Sequence, residues 1–436
     1  MADNTSKKST DKTKYLSSLL LILAFVLCFA LGYVCSVFSF RKEQRSVDRL
    51  ISLIQNNAIF AEVDGDGNQA SFDMISDAIV SSVLKQDKYA KYYTEEEHNK
   101  ISDEKAGNGS GLGISFLSSD CAIYNVIGNS PAEIAGAKAG DKIIGIKTDE
   151  TEFTQINYYS ELSNYISAKP WGTTFTFKVL RGETLVEYTI TAKEYVTSYV
   201  KYFDSEVSYT IVTDAKNTAY KTAYNCENLG LDSHTAMISL SQFNGQATEQ
   251  FGYAMNLLKE RGKTKLILDL RKNVGGNMKI LREISGYLID NSGKSKSVIA
   301  VSIGKNSEEK FTTKYNKYNS SITKTVVLAD ENTASASECL IGAMLYYGSS
   351  ERDGNFSISD LVITKNQYGI AKTYGKGIMQ TTYVLPNKGA LKFTSAKIYL
   401  PDSKTSIHDV GFFADYNNAV TDKTSVSRAI EILSQG

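Results

Sequence analysis

Three stretches of the chain hold residue types suited to acyl-transfer chemistry. The first is Arg271-Lys272-Asn273-Val274-Gly275-Gly276-Asn277, set between the apolar run Lys265–Leu270 and the amphipathic segment Met278–Leu288. A strand, a glycine pair and a helix start expose backbone N–H groups at a helix N-terminus, where they suit developing negative charge. The same pair also serves as an ordinary turn. The second stretch, residues 329–338, reads ADENTASASE, after a strand Thr325–Leu328 and before a helix Cys339–Tyr347. Ser335 and Ser337 lie there among small residues that let a substrate approach. Each is a nucleophile candidate and equally a helix cap. The third, residues 374–380, reads YGKGIMQ. Flanking glycines let Lys376 come close against a site. Burial lowers a lysine pKa, and the neutral amine can then take a proton from a serine. Gln380 can orient that amine without adding charge.

Histidine, the usual base, is scarce. The chain has three, His98, His234 and His408. His98 follows Glu95-Glu96-Glu97 on a charged helix, and the other two sit in polar, turn-like stretches, so all three read as bystanders. Their wide separation also leaves no histidine-based metal site, and no metal or organic cofactor is implied. The five cysteines, Cys28, Cys35, Cys121, Cys226 and Cys339, show neither a C-x-x-C pair nor zinc spacing. They read as packing residues.

The elements that must position these groups belong to a long chain. It has 436 residues, too many for one ordinary domain, with 48 Lys+Arg against 48 Asp+Glu. That balance argues against a nucleic-acid binder, and 42% hydrophobic residues suit packed domains. Residues 1–14 form a short tail with lysines. Residues 15–40 carry no charge and are long enough to cross a hydrocarbon core of about 30 Å. They read as an uncleaved transmembrane signal anchor, with the tail cytoplasmic and the body of a single-pass protein extracytoplasmic. Residues 41–104 have helical spacing. Within them, VDGDGN places Ile75 where a calcium loop starting at Asp64 needs glutamate, so it reads as a turn.

Residues 105–195 change character. Ser110-Gly111-Leu112-Gly113-Ile114 puts a glycine loop before an apolar strand, a nest able to hold an anionic group. Then NSPAEIAGAKAGDKIIGI gives a helix opening on Pro131, a turn at Gly140-Asp141 and a strand Lys142–Ile146. A hairpin over residues 176–190 has Arg181-Gly182 in its loop. This stretch resembles a PDZ domain of the bacterial-protease type. The resemblance implies that Gly111, Leu112, Gly113 and Ile114 receive the terminal carboxylate of a bound peptide.

Beyond residue 196, strands (Ala236–Leu240, Lys265–Leu270, Thr325–Leu328) alternate with helices (Thr248–Leu258, Met278–Leu288). LILDLRKNVGG, ENTASASE and YGKGIMQ, in that order behind a PDZ-like stretch, resemble the hallmark motifs of the carboxy-terminal processing proteases, the tail-specific serine peptidases of family S41. The segments DKYAKYYTEEE and LKFTSAKIYLPDSKTSIHDVGF are similar to that family's flanking regions. The resemblance implies Ser335 as nucleophile, Lys376 as general base and Gln380 as its positioning residue. It implies the backbone N–H groups of Gly275 and Ala336 as the oxyanion hole.

The spacing from Ser335 to Lys376 is longer than the family usually has, and residues 351–369 read as an added hairpin or flap. The expected fold is multidomain, α+β and α/β: a transmembrane helix, a helical segment to residue 104, a β-rich PDZ domain over 105–195, and a crotonase-like, ββα-type peptidase domain over 196–436. The expected function is membrane-anchored serine endopeptidase, with exposed protein C-termini as partners and a homo-oligomer left open. The alternative is a catalytically silent or latent PDZ scaffold that binds such tails.

Overall fold

The computed structural model describes residues 26–29, 72–116, 120–214, 216, 218–223, 229–290, 296–348 and 356–435. The expected anchor over 15–40 lies outside them except for Val26–Phe29, which are helical and exposed. Among the described residues no helix is long and apolar enough to cross a membrane. The VDGDGN turn, Cys35 and Cys226 also lie outside. The chain divides into two compact units, residues 1–92 and 93–436. In the first, the helix Phe72–Val83 is held near its start by Tyr92 Oη donating to Asp73 Oδ1 at 2.6 Å.

The second unit opens on the helix Glu95–Ala106. Thr94 and Glu97 form a capping box, and Gly107 closes the helix in the left-handed region. The helix buries none of its residues, which fits the reading of His98. The PDZ stretch follows. Strands Lys142–Lys147, Thr174–Arg181 and Thr184–Thr191 pair antiparallel, with Thr154–Gln155 at one edge. Arg181 ends a strand and does not sit in the loop as expected. Its guanidinium reaches back to the fully buried Asp141 at 2.7 Å, and an ion pair of that kind favours extending the ladder by one residue. Phe175, Phe177, Val179 and Leu162 form this domain's core.

The C-terminal half is built on an eight-stranded sheet. Its order is Ala219–Ala223, Ser208–Thr213, Val200–Asp204, Thr235–Leu240, Lys265–Asp269, Lys324–Ala329, Leu361–Thr364 and Ala419–Val420. The first four pair antiparallel and the last five run parallel. Successive side chains of a strand face opposite ways, and here both faces are covered. Leu266 and Leu268 join Phe251, Leu281, Ile284 and Leu340 from the helices Ala247–Glu260, Met278–Leu288 and Ala336–Gly348. Ile267, Val326 and Val362 pack on the other side with Ala429 and Leu433 of the helix Asp422–Ser434. Burial on both faces is why these strands read as unbroken apolar runs.

Two expectations change. The helix after ENTASASE begins at Ala336, three residues before the expected Cys339, so Ser337 and Glu338 are helical and buried. The stretch 351–369 is not a flap where it is described. Leu361–Thr364 is a fully buried strand of the main sheet, hydrogen-bonded to Lys324–Ala329. Four apolar or β-branched residues gain more from the sheet interior than from a solvent-facing hairpin. Of the cysteines, Cys121 and Cys339 are buried, whereas Cys28 is exposed beside exposed Val26, Leu27 and Phe29. Because Leu268 is fully buried at the centre of the sheet, Leu268→Ala should lower the unfolding free energy by about 3 kcal/mol, read as a shift in the urea midpoint of the body.

Candidate active site

Strand ends bring the three motifs together. Lys265–Asp269 and Lys324–Ala329 are adjacent and parallel, so the loops leaving their C-terminal ends meet. Asn273 joins them. It is fully buried; its Nδ2 donates to Leu240 O at 2.7 Å, and its carbonyl accepts from Ala334 N and from Ser337 Oγ, each at 3.0 Å. Ser337 is therefore a structural donor, which leaves Ser335 as the half-buried serine of the turn. Ser335 sits at φ +58°, a left-handed conformation rare for a residue with a Cβ. Ala336 is the first residue of the helix, where backbone N–H groups lack an intrahelical acceptor.

Gly275 lies against this turn. A Cβ there would come within 2.9 Å of both Ala336 N and Ser335 Cβ and within 2.7 Å of Ala334 O, and φ is +97°. The position therefore excludes a side chain. Its own N–H donates to Asn273 Oδ1 at 2.9 Å, so the donor expected to face an oxyanion is engaged inside its loop in this conformation.

Glu338 ties the base segment to the nucleophile turn. Its fully buried carboxylate accepts from Ser335 N (2.9 Å), Thr373 Oγ1 (2.6 Å), Gly375 N (2.8 Å) and Lys376 N (2.9 Å). Tyr374 N also donates to Thr333 O at 3.0 Å. Lys376 is thus held beside the turn by backbone contacts, and its side chain is half-buried. The glycines on either side serve close approach. A Cβ on Gly375 would crowd Val410 N and Gly411 N, and one on Gly377 would lie 2.5 Å from His408 N. His408 therefore backs the lysine turn, with its Nδ1 buried and without a hydrogen-bond partner. Gln380 lies on the neighbouring strand Ile378–Val384, next to a bulge in the pairing, with its Nε2 3.4 Å from Thr394 Oγ1.

Electrostatics separate the neighbouring groups. Burial pushes the Cys339 thiol up to about 12, so it stays protonated and inert. Burial, helped by the nearby Asp269, also raises the Asp330 carboxyl above the ordinary range. It does so against the pull of the Lys272 and Asn332 N–H groups and the Thr333 hydroxyl. Among the described residues no cluster could hold a metal ion.

In the PDZ stretch, Gly111 and Gly113 have positive φ, and a Cβ on Gly113 would strike Ser130 at 2.1 Å. Leu112 O accepts from Ala132 N and Gly113 O from Ile127 N, so the loop is fixed against the SPAEIAG helix. Ile114–Phe116 pairs with Ile123–Val126 along one edge. The helix Tyr159–Ser167 lies near by, with Phe116 and Tyr159 ring centroids 5.3 Å apart.

Residues 234–351 match the model of peptidase family S41, and residues 110–191 match that of the PDZ domain. The chain is thus similar to S41-family serine proteases that carry a PDZ domain. A probable CtpA-like serine protease of Staphylococcus epidermidis is 24% identical over 425 residues, covering 95% of this chain and 76% of that one. Its counterpart in Staphylococcus aureus is 24% identical over 347 residues, 79% of this chain and 60% of that one. A crystal structure of a putative S41 protease from Bacteroides fragilis shares the fold, with a TM-score of 0.50 at 15% identity over 81% of this chain and 87% of that one.

Residue types and spacing alone do not single out two organisers of this site. Asn273 lies inside the RKNVGGN stretch, and Glu338 stands three residues after Ser335, the capping-box spacing. That spacing was the available signal for Glu338, because only the fold reveals that it also reaches residues 373–376. Glu338→Gln keeps size but sets an amide against N–H donors; it should cut kcat by about tenfold to a hundredfold and cost about 1–3 kcal/mol of stability, measured by peptide cleavage and urea unfolding. For Asp330 the raised folded pKa fixes the sign. Its stabilising share is present below the ordinary carboxylate pKa of about 4 and is lost as pH rises through the folded value. Urea midpoints of Asp330→Asn should therefore gain on wild type from acid to neutral pH.

Proposed function

We propose that this serine protease cleaves proteins near exposed C-terminal tails through a Ser335–Lys376 dyad. The observation that carries the reading is the Glu338 carboxylate, which accepts from Ser335 N and Lys376 N at 2.9 Å each. One buried side chain thus fixes the backbone of both groups. Ser335 attacks the scissile carbonyl while neutral Lys376 accepts its proton. The N–H groups of Ala336 and Gly275 hold the tetrahedral oxyanion, the latter after leaving Asn273. Water then hydrolyses the acyl-enzyme. Gln380 orients the Lys376 amine.

A substrate tail adds as a strand beside Ile114–Phe116, its carboxylate in the Gly111–Ile114 loop. Residues 15–40 anchor the chain in the cell membrane with the body outside the cytoplasm, where protein tails are presented to it. Oligomerisation is not needed for any of these steps.

Ser335→Ala and Lys376→Met should each abolish cleavage of a tail-exposed substrate by the purified body. A fluorophosphonate probe should label wild type at Ser335 and fail to label Ser335→Ala. Turnover surviving in Ser335→Ala would overturn the mechanism, and an unlabelled, inactive wild type that still binds tail peptides would favour the silent scaffold.

A further inference from the structure

Beside the Lys376 turn, two segments form a short antiparallel ribbon. Lys372 pairs with Phe413, Thr373 N donates to Phe412 O at 2.9 Å, and Ala414 N donates to Ala371 O at 3.4 Å. Side chains alternate across such a ribbon. On the inner face Ala371, Phe412 and Ala414 pack on the core of the main sheet, and Thr373 is fully buried. On the outer face Ile370, Tyr374 and Phe413 are 46%, 46% and 53% exposed, with Lys372 Nζ 5.5 Å from the centroid of the Phe413 ring. Val410, 52% exposed, follows Asp409, whose N–H donates to Gly375 O at 2.8 Å. The backbone under these side chains is fixed. Thr373 Oγ1 and Gly375 N, on either side of Tyr374, both donate to Glu338 Oε1. Ile370 N donates to Asn366 Oδ1 at 3.0 Å.

Large apolar side chains grouped at a rigid surface mark a place where a partner binds. Position identifies the partner. Tyr374 N donates to Thr333 O, two residues before Ser335, and Lys376 stands two residues after Tyr374. The apolar face is therefore continuous with the catalytic turns. Phe413 lies opposite Lys372, four residues before Lys376. An extended substrate advances about 3.3 Å per residue, as the ribbon itself does, so its side chains within about four residues of the scissile bond reach this face. We propose that Ile370, Tyr374, Val410 and Phe413 form a specificity subsite that favours substrates with large aliphatic or aromatic side chains within about four residues of the cleaved bond. The inference rests on the Ser335–Lys376 reading and sets a preference separate from capture of the tail carboxylate.

The test starts from a quenched fluorogenic peptide that the purified body cleaves, with the cut located by mass spectrometry. Two versions share one C-terminal tail and differ only at residues within about four places of the cut, Phe and Leu in one and Ser in the other. Wild-type kcat/KM should favour the Phe/Leu peptide by roughly tenfold, mainly through KM. In the double variant Ile370→Ser, Phe413→Ser that ratio should fall to about twofold or less, and Phe413→Leu should keep it. A ratio near one in wild type, or an unchanged ratio in the double variant, overturns the subsite. Ser335→Ala keeps this failure apart from failure of the dyad. Its binding of the two peptides, read by fluorescence anisotropy, should show the same preference. Preferential binding with surviving cleavage sinks the dyad alone; equal binding with no cleavage sinks the subsite alone. Sedimentation velocity covers a second copy of the chain as occupant. If the double variant turns a wild-type dimer into a monomer and leaves the ratio unchanged, the face joins two copies and the subsite is overturned.

Discussion

A single buried carboxylate constrains the catalytic half. Glu338 is fully buried and accepts four hydrogen bonds, from the Ser335, Gly375 and Lys376 amides and the Thr373 hydroxyl. A buried carboxyl group is costly without such partners, so the groups that satisfy it cannot drift apart without leaving both it and their own donors unpaired. The Ser335 turn and the Lys376 turn come from distant parts of the chain. The energetic need of Glu338 makes them one site.

The sheet supplies the rigidity behind that need. Its parallel strands are covered on both faces, so the loops at their C-terminal ends start from fixed points. Asn273 then ties the glycine loop to the ends of Thr235–Leu240 and to the Ala334–Ser337 turn. Ser335 and Lys272 both hold positive φ within this frame. Conformations of that kind persist where the surroundings over-determine them. The PDZ domain belongs to the frame as well: Glu133 of the SPAEIAG helix is nearly buried and pairs with Lys201 of the catalytic sheet at 2.5 Å.

Much of the organisation was legible in residue patterns. Met278–Leu288 matches the expected helix end for end, and Thr235–Leu240, Lys265–Asp269 and Lys324–Ala329 match expected strands within a residue or so. These segments are apolar on the faces they bury, so pattern and environment agree. The misreadings fall where local sequence is ambiguous. Ser337 and Glu338 read as shaping the helix start, and their partners, Asn273 and residues 373–376, leave no local signal because they are remote. Leu361–Thr364 looked like part of an insertion because its place, between Lys324–Ala329 and Ala419–Val420, is set by pairing with remote strands that no local pattern reveals.

By itself the sequence determined which chemical groups are present and in what order: a glycine pair behind a buried strand, a serine among alanines, a lysine between glycines, and a peptide-binding module ahead of them. Those features depend on residue size, polarity and near-neighbour spacing, all of which are local. The tertiary structure alone decided which groups meet. It put Glu338 against residues 373–376, His408 behind Gly377, Gly275 N–H on Asn273 and Lys272 on Tyr124. Each of these contacts joins segments far apart in the chain, and its geometry follows from sheet register and buried hydrogen-bond demand rather than from spacing along the sequence.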